Sequence, residues 1–191
     1  KGRGVQCESG HFLLPVYHEF VRKFGEVLTV DRDGKIVNKT RLTAHNGAIQ
    51  PWLVPIDEQR SRAFYRNSGG STHTMLSNDL TDIFAAVRGT AEPTDMPNPN
   101  SAVAVVRRHT GGFLMVCNPA TEGRNQLSLA VSADGQVWKQ IHDIELSVRS
   151  DEFSYPYLIK GSPGNYHLVY TWKRTKIRHV AFNEQWLGDQ Q

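Results

Sequence analysis

The 191-residue sequence predicts an all-β protein built from propeller blades. Three observations carry this. Apolar and polar residues alternate with period two in short runs, the pattern of strands with one buried face. Gly, Pro, Asn and Asp separate the runs, with no alternation of strands and helices between them. A hairpin motif recurs at a spacing of about 50 residues, the size of a propeller blade.

In chain order the runs are "GHFLLPVY" (10–17), "GEVLTV" (25–30), "SRAFYR" (61–66), "THTMLS" (72–77), "SAVAVV" (101–106), "GFLMVCN" (112–118), "NQLSLAVS" (125–132), "YHLVYTW" (166–172) and "KIRHVAF" (176–182). In "NQLSLAVS", Leu127, Leu129 and Val131 fall on one face, with Ser128, Ala130 and Ser132 on the other. "YHLVYTW" groups Tyr166, Leu168, Tyr170 and Trp172. Only "NDLTDIFAAV" (78–87) hints at a helical turn. "DEFSYPYLI" (151–159) sets Tyr155 before Pro156, and proline's missing donor puts the pair at a strand entrance or edge.

The repeated motif is clearest in "SADGQVW", with Ser132, Asp134, Gly135 and Trp138 following S-x-D-x-G-x-x-W less one residue. "SNDLTDIF" (Ser77, Asp79, Phe84) reads as a degenerate copy, and "TVDRDGKI" (Thr29, Asp31, Gly34, Ile36) as a more degraded one. The chemistry is structural. The carboxylate accepts turn amides, glycine takes a positive φ, and the aromatic packs back on its blade. The approximate blades are 1–48, 49–96, 97–150 and 151–191, the last without a clasp. Roughly three and a half to four blades fall short of a closed ring, which typically needs about four to eight, so completion by N-terminal blades or by a second copy is expected.

Composition excludes several classes. The 22 Lys and Arg residues are scattered and the net charge is +3, so no nucleic-acid stripe is present. No apolar run reaches the roughly 20 residues of a membrane span. Cys7 and Cys117 form no C-x-x-C pattern, and the eight histidines show no H-x-H or H-x-x-x-H pair. Neither a metal nor another cofactor is expected.

These Asp-box hairpins resemble those of the sialidase (neuraminidase) superfamily, whose fold is a six-bladed β-propeller, and the chain resembles its C-terminal portion. "GHFLLPVYHE" is similar to the family's G-x-L-x-x-P-x-Y strand. "VCNPATEGRNQLSLAVSADGQVW" is similar to the segment that carries an arginine of the carboxylate clamp. "FSYPYL" resembles F-A-Y-S-x-L, the site of the nucleophilic tyrosine, and "LVYTWKRTKIRHVAFNEQWL" resembles the closing strands. The resemblance places Tyr155 on the nucleophile, Arg124 on the third clamp arginine and Arg66 on the second. It places Gln50 where the family has the glutamate that serves its tyrosine. The first clamp arginine and the acid/base aspartate belong to family blades not represented here. A secreted or periplasmic location is what the resemblance favours.

The chemistry is coherent. A sialic acid carries its carboxylate on the anomeric carbon, which would repel a carboxylate nucleophile, so a neutral phenol suits the attack. A phenol with a pKa of about 10 needs a base in hydrogen-bond reach. Glutamate can take that proton and glutamine cannot. Gln50 therefore reads as a lost base, a tolerated replacement or a neighbour of the true position. Glu19, beside His18 and on the opposite strand face, is a candidate substitute. Arginine forks match a planar carboxylate. Asn98 and Asn100 in "PNPNS" read as turn formers near the pocket mouth. The implied activity is exo-glycosidic hydrolysis of a terminal carboxylate-bearing sugar. The alternatives are a non-catalytic propeller that binds acidic glycans, and one used for protein contacts.

Overall fold

A computed structural model describes residues 2–7, 9–44, 47–58, 60–69, 73–81 and 89–190, and they are all-β apart from one short helix. The chain divides into two compact units, Lys1–Pro93 and Thr94–Gln191. The first contains β1 (Val5–Gln6), β2 (Phe12–His18), β3 (Phe24–Val30), β4 (Ile36–Arg41), β5 (Ala48–Pro55), β6 (Arg60–Asn67) and β7 (Thr74–Thr81), and β8 (Glu92–Pro97) starts at its end. Neighbours run β1-β2-β3-β5-β6-β7-β8, with β4 on β3. Antiparallel pairing builds β1 to β4, and a single parallel pair, Phe24 with Ala48, joins β3 to β5. Leu13, Val27, Leu53, Tyr65 and Leu76 form the core of this unit.

The second unit holds a sheet of β9 (Ala104–Arg107), β10 (Phe113–Cys117), β11 (Gln126–Ser132) and β12 (Lys139–Leu146) in the order β12-β11-β10-β9. A meander of β13 (Phe153–Lys160), β14 (Asn165–Trp172) and β15 (Lys176–Asn183) follows, then helix α1 (Glu184–Gly188). Asn183 caps α1 by accepting from the Trp186 amide. Arg108 and Tyr166 both hold Glu184 of its first turn. All the described sheets are open, and their ladders are antiparallel apart from the Phe24–Ala48 pair.

Inner strands bury both faces, which simple alternation does not anticipate. On β11, Leu127 and Leu129 are buried, but so are Ser128, Ala130 and Ser132. Ser128 is accommodated because its hydroxyl donates to Asp143 at 2.7 Å. β10 is buried along its whole length, and there burial pushes the Cys117 thiol up to about 12.

Two of the three hairpin motifs form as their chemistry predicts. Asp134 Oδ1 accepts from the amides of Gln136 at 2.8 Å and Val137 at 3.0 Å, Gly135 sits at φ 80°, and the Trp138 indole donates to the Gly135 carbonyl. Asp31 Oδ1 accepts from Asp33 and Lys35, with Gly34 at φ 80°. Asp79 differs. It lies inside β7 opposite Arg62, whose guanidinium holds both its oxygens at 2.7 and 2.9 Å, so it is a cross-strand ion pair and not a turn clasp. Phe84 and most of "NDLTDIFAAV" lie outside the described residues. The β14–β15 turn contains no carboxylate of its own; Lys173 and Arg174 themselves adopt φ 50° and 57° and pair with Asp151 and Glu152 before β13.

Glycine's role separates into two cases. A Cβ on Gly34 meets nothing within 4 Å, so only backbone strain opposes it, whereas one on Gly112 (φ 71°) would lie 2.5 Å from the Ser132 carbonyl oxygen. Gly34→Ala is expected to cost about 1–2 kcal/mol, the left-handed penalty alone. Gly112→Ala is expected to cost clearly more. Urea denaturation of both variants checks this, and equal losses would contradict it.

Candidate functional site

The candidate side chains depend on two breaks in strand register. Ladder pairing in β5–β6 skips between Ile49 and Trp52, and in β13–β14 between Ser154 and Tyr157. At each break a non-glycine residue precedes proline with positive φ: Gln50 at 51° and Tyr155 at 54°. Such a residue normally avoids helical values and adopts extended ones. A left-handed backbone at a non-glycine position costs about 1–3 kcal/mol and is retained where the surroundings over-determine it. The bulge turns the side chain out of its place in the pleat.

In the second unit this device presents Tyr155 at 41% exposure, on a strand whose Phe153, Ser154 and Pro156 are buried. Arg124, in the loop before β11, is tied to the same strand entrance because its carbonyl accepts from the Phe153 amide at 2.8 Å. Asn118 donates to the Phe153 and Gln126 carbonyls, locking that corner. The Arg124 guanidinium carbon lies 5.7 Å from the centre of the Tyr155 ring, within cation–π range. Nη2 donates to the Asn100 carbonyl at 2.8 Å, and Nη1 meets Glu152 at 3.3 Å. Asn98 and Asn100 do form a turn, Asn98 by pairing with Ser101 in both directions and Asn100 at φ 54°.

Glu152 is the organising anion of this corner. It accepts from Ser154 at 2.7 Å and faces Arg174 at 2.9 Å as well as Arg124. Burial opposes its ionisation, but Ser154 and the two arginine charges outweigh it and hold the carboxyl below its usual range. Beside it, Lys173 and Ser147 hold Asp151 low in the same sense. Pro99, Gly123, Arg124, Asn125, Asp151 and Glu152 are among the residues lining a cavity of about 340 Å³.

In the first unit, Gln50 is 5% exposed and its Nε2 donates to the Tyr17 hydroxyl at 3.3 Å. Arg66 is 9% exposed and pairs in register with Ile49, the residue before Gln50. His18 and Lys39 face Glu26, at 3.0 and 3.5 Å. Glu19 lies just past the end of β2 and is exposed. Each unit thus assembles one pair of the residues expected from sequence: Arg66 and Gln50 on adjoining strands, and Arg124 and Tyr155 at one corner. Among the described residues no group of three or more His, Cys, Asp or Glu side chains is placed to hold a metal ion.

Glu152 and Tyr17 are the members of this setting that sequence reasoning did not single out. A charge beside a strand entrance usually reads as solvated, and a tyrosine on an alternating strand as packing. The adjacency of Glu152 to the "FSYP" bulge was the available signal.

The open sheets and their Asp-box hairpins define an all-β fold of the kind found in sialidase propellers. The chain belongs to the BNR repeat-like domain family, whose model matches residues 1–168. Among solved structures it is similar to the Hadza microbial sialidase Hz136, with 13% identity and a TM-score of 0.71 over 96% of this chain and 37% of that one. It is also similar to a mutant of the NanB sialidase from Streptococcus pneumoniae (10%, TM-score 0.73, 96% of this chain and 30% of that one). A leech intramolecular trans-sialidase matches with 12% identity and a TM-score of 0.72 over 98% of this chain and 32% of that one. The chain therefore spans about a third of the length of these proteins. No match was found among curated proteins.

The depressed Glu152 carboxyl has a stability consequence. Because its folded pKa lies below the unfolded value of about 4.3, its contribution is complete above that pH and is lost as pH falls through the folded value. Glu152→Gln is expected to destabilise the protein at pH 7 and to flatten this part of the acid-induced loss. Urea denaturation of both proteins between pH 7 and 3 reads the difference; parallel curves would contradict it.

Proposed function

We propose that the protein is a sialidase-like exo-glycosidase acting on a terminal carboxylate-bearing sugar, sialic acid or a close analogue. Tyr155 is the nucleophile, and Arg66 and Arg124 hold the sugar's carboxylate. The observation that carries this reading is Tyr155 itself, forced out of its strand by a strained bulge and set over the Arg124 guanidinium. Proteins of similar fold include sialidases and a leech trans-sialidase that has been seen in complex with 2,7-anhydro-Neu5Ac.

In the proposed reaction the Tyr155 phenolate oxygen forms a bond to the anomeric carbon as the glycosidic C–O bond breaks. The phenol proton passes to a base and the leaving oxygen takes one from an acid. Water then attacks the same carbon and gives a proton to the deprotonated acid. The tyrosine oxygen leaves, recovers its proton from the base and releases the free sugar. The resemblance assigns the acid and a further clamp arginine to segments outside these 191 residues. Arg124 retains donors beyond those given to Asn100 and Glu152, since guanidinium carries five N–H groups.

A second reading, binding of acidic glycans without hydrolysis, is favoured by one specific residue. Gln50 stands in the family's glutamate position and its amide cannot accept the phenol proton.

Isothermal titration of 3′-sialyllactose tests the clamp. Arg124→Ala or Arg66→Ala is expected to weaken binding by about 1.5–3 kcal/mol, roughly 10- to 150-fold, while Tyr155→Phe keeps most of the affinity. Unchanged affinity in both arginine variants would remove the clamp. Turnover of an activated sialoside by the full-length polypeptide separates the two readings. Gln50→Glu is expected to raise it by about 10²–10⁴-fold if general-base assistance is what the site lacks. No gain, with binding intact, supports the binding-only reading.

A further inference from the structure

Gln50 has a feature that the loss of a base does not explain. Its side chain is nearly sealed at 5% exposure, one end of the amide is used and the other is not. Nε2 donates to the Tyr17 hydroxyl, whereas Oε1 is buried with no hydrogen-bond partner among the described residues. A buried acceptor left without a donor costs folding free energy, so native proteins rarely keep one without a functional reason. The backbone at Gln50 is strained as well, with φ 51° before Pro51. An apolar side chain here would avoid the unpaired oxygen, and a regular strand would avoid the strain.

We infer that Gln50 Oε1 is a specificity-determining acceptor for a hydroxyl or amide N–H of the bound sugar acid, and that Tyr17 is the positioning residue that aims it. This rests on the acidic-sugar reading above and holds whether or not the glycosidic bond is cleaved. Tyr17 fixes the amide by engaging its NH₂ end, which leaves the carbonyl end directed to the ligand. Arg66, opposite Ile49 in the β5–β6 ladder, supplies the cation one residue away along β5. A ligand engaging both carries a carboxylate and a hydrogen-bond donor on the same small ring system. A simple carboxylate would engage only Arg66. A neutral acceptor also suits the place beside a ligand carboxylate better than a second anion, which would repel it.

Three variants and one probe, 3′-sialyllactose, test this. Gln50→Met keeps the side-chain length but removes the acceptor. It is expected to leave the urea midpoint equal or higher, because the orphan oxygen is gone, while weakening binding at least tenfold. Tyr17→Phe is expected to shift and broaden the Gln50 side-chain NH₂ resonances without any ligand, and to weaken binding about three- to tenfold. Gln50→Asn, too short to reach both partners, is expected to behave like Gln50→Met in binding. Loss of stability with unchanged affinity in Gln50→Met would make Gln50 a structural residue and overturn the inference. Unchanged Gln50 amide resonances in Tyr17→Phe would remove Tyr17 from its role, whatever the ligand result. Failure of the unmodified protein to bind overturns the acidic-sugar reading and with it the ligand role of Gln50, while the ligand-free resonances still report on Tyr17.

Discussion

The geometry of both candidate pairs depends on a left-handed residue before proline at a strand entrance. Proline removes one ladder donor and pushes its predecessor away from helical values, yet Gln50 and Tyr155 hold φ near +50°. The surrounding strands enforce this. Trp52 and Leu53 after the first break, and Phe153 before the second, are buried, so the register on each side is anchored by packing. A one-residue slip would reverse the faces of every side chain in the strand, and the bulge absorbs the mismatch instead. Strain at two positions is thereby offset by core burial worth roughly 1.5–3 kcal/mol for each large apolar side chain.

Charge arrangement in the second unit works in the same direction. Arg124 would be a mobile side chain if left alone at a loop edge. Glu152 and the Asn100 carbonyl fix it from two sides, and Arg174 keeps Glu152 from neutralising it alone. Two guanidiniums share the Glu152 carboxylate while Lys173 pairs with Asp151, which leaves excess positive charge at the corner of Tyr155, as the proposed binding of an anionic group requires. A preorganised fork loses less entropy on binding than a free one. The same balance makes the corner sensitive to acid, since protonating Glu152 removes the anion that holds both cations in place.

Much of the fold was legible because strands repeat with period two and turns carry fixed chemistry. Asp134 and Asp31 do what their motif requires, and Tyr155 lies at the strand entrance its proline implied. Asp79 was misread because S-x-D also occurs inside strands; only the partner Arg62 on β6 shows which setting applies, and sequence does not contain that pairing. The doubly buried faces of β10 and β11 were hidden for a related reason. Small residues such as Ser128 and Ala130 look exposed in a linear pattern, and both are buried, Ser128 with its hydroxyl on Asp143. The family resemblance pointed to Arg66, Arg124 and Tyr155 as candidates, but the contacts of Glu152 and Tyr17 rest on distances that strand register and loop closure determine.

The identity of residue 50 concentrates the choice between chemistry and binding. A glutamate at 5% exposure would be desolvated, and burial raises a carboxyl pKa toward the working pH of a general base. The position is therefore physically suited to a tuned base. Glutamine there keeps the shape and the hydrogen bond to Tyr17 while removing the charge and the proton affinity. On the proposed reading it also removes repulsion of a ligand carboxylate near Arg66. The burial that would activate a glutamate leaves the amide with an unpaired oxygen, so on that reading the same enclosure that would serve a base selects a donor-bearing ligand instead.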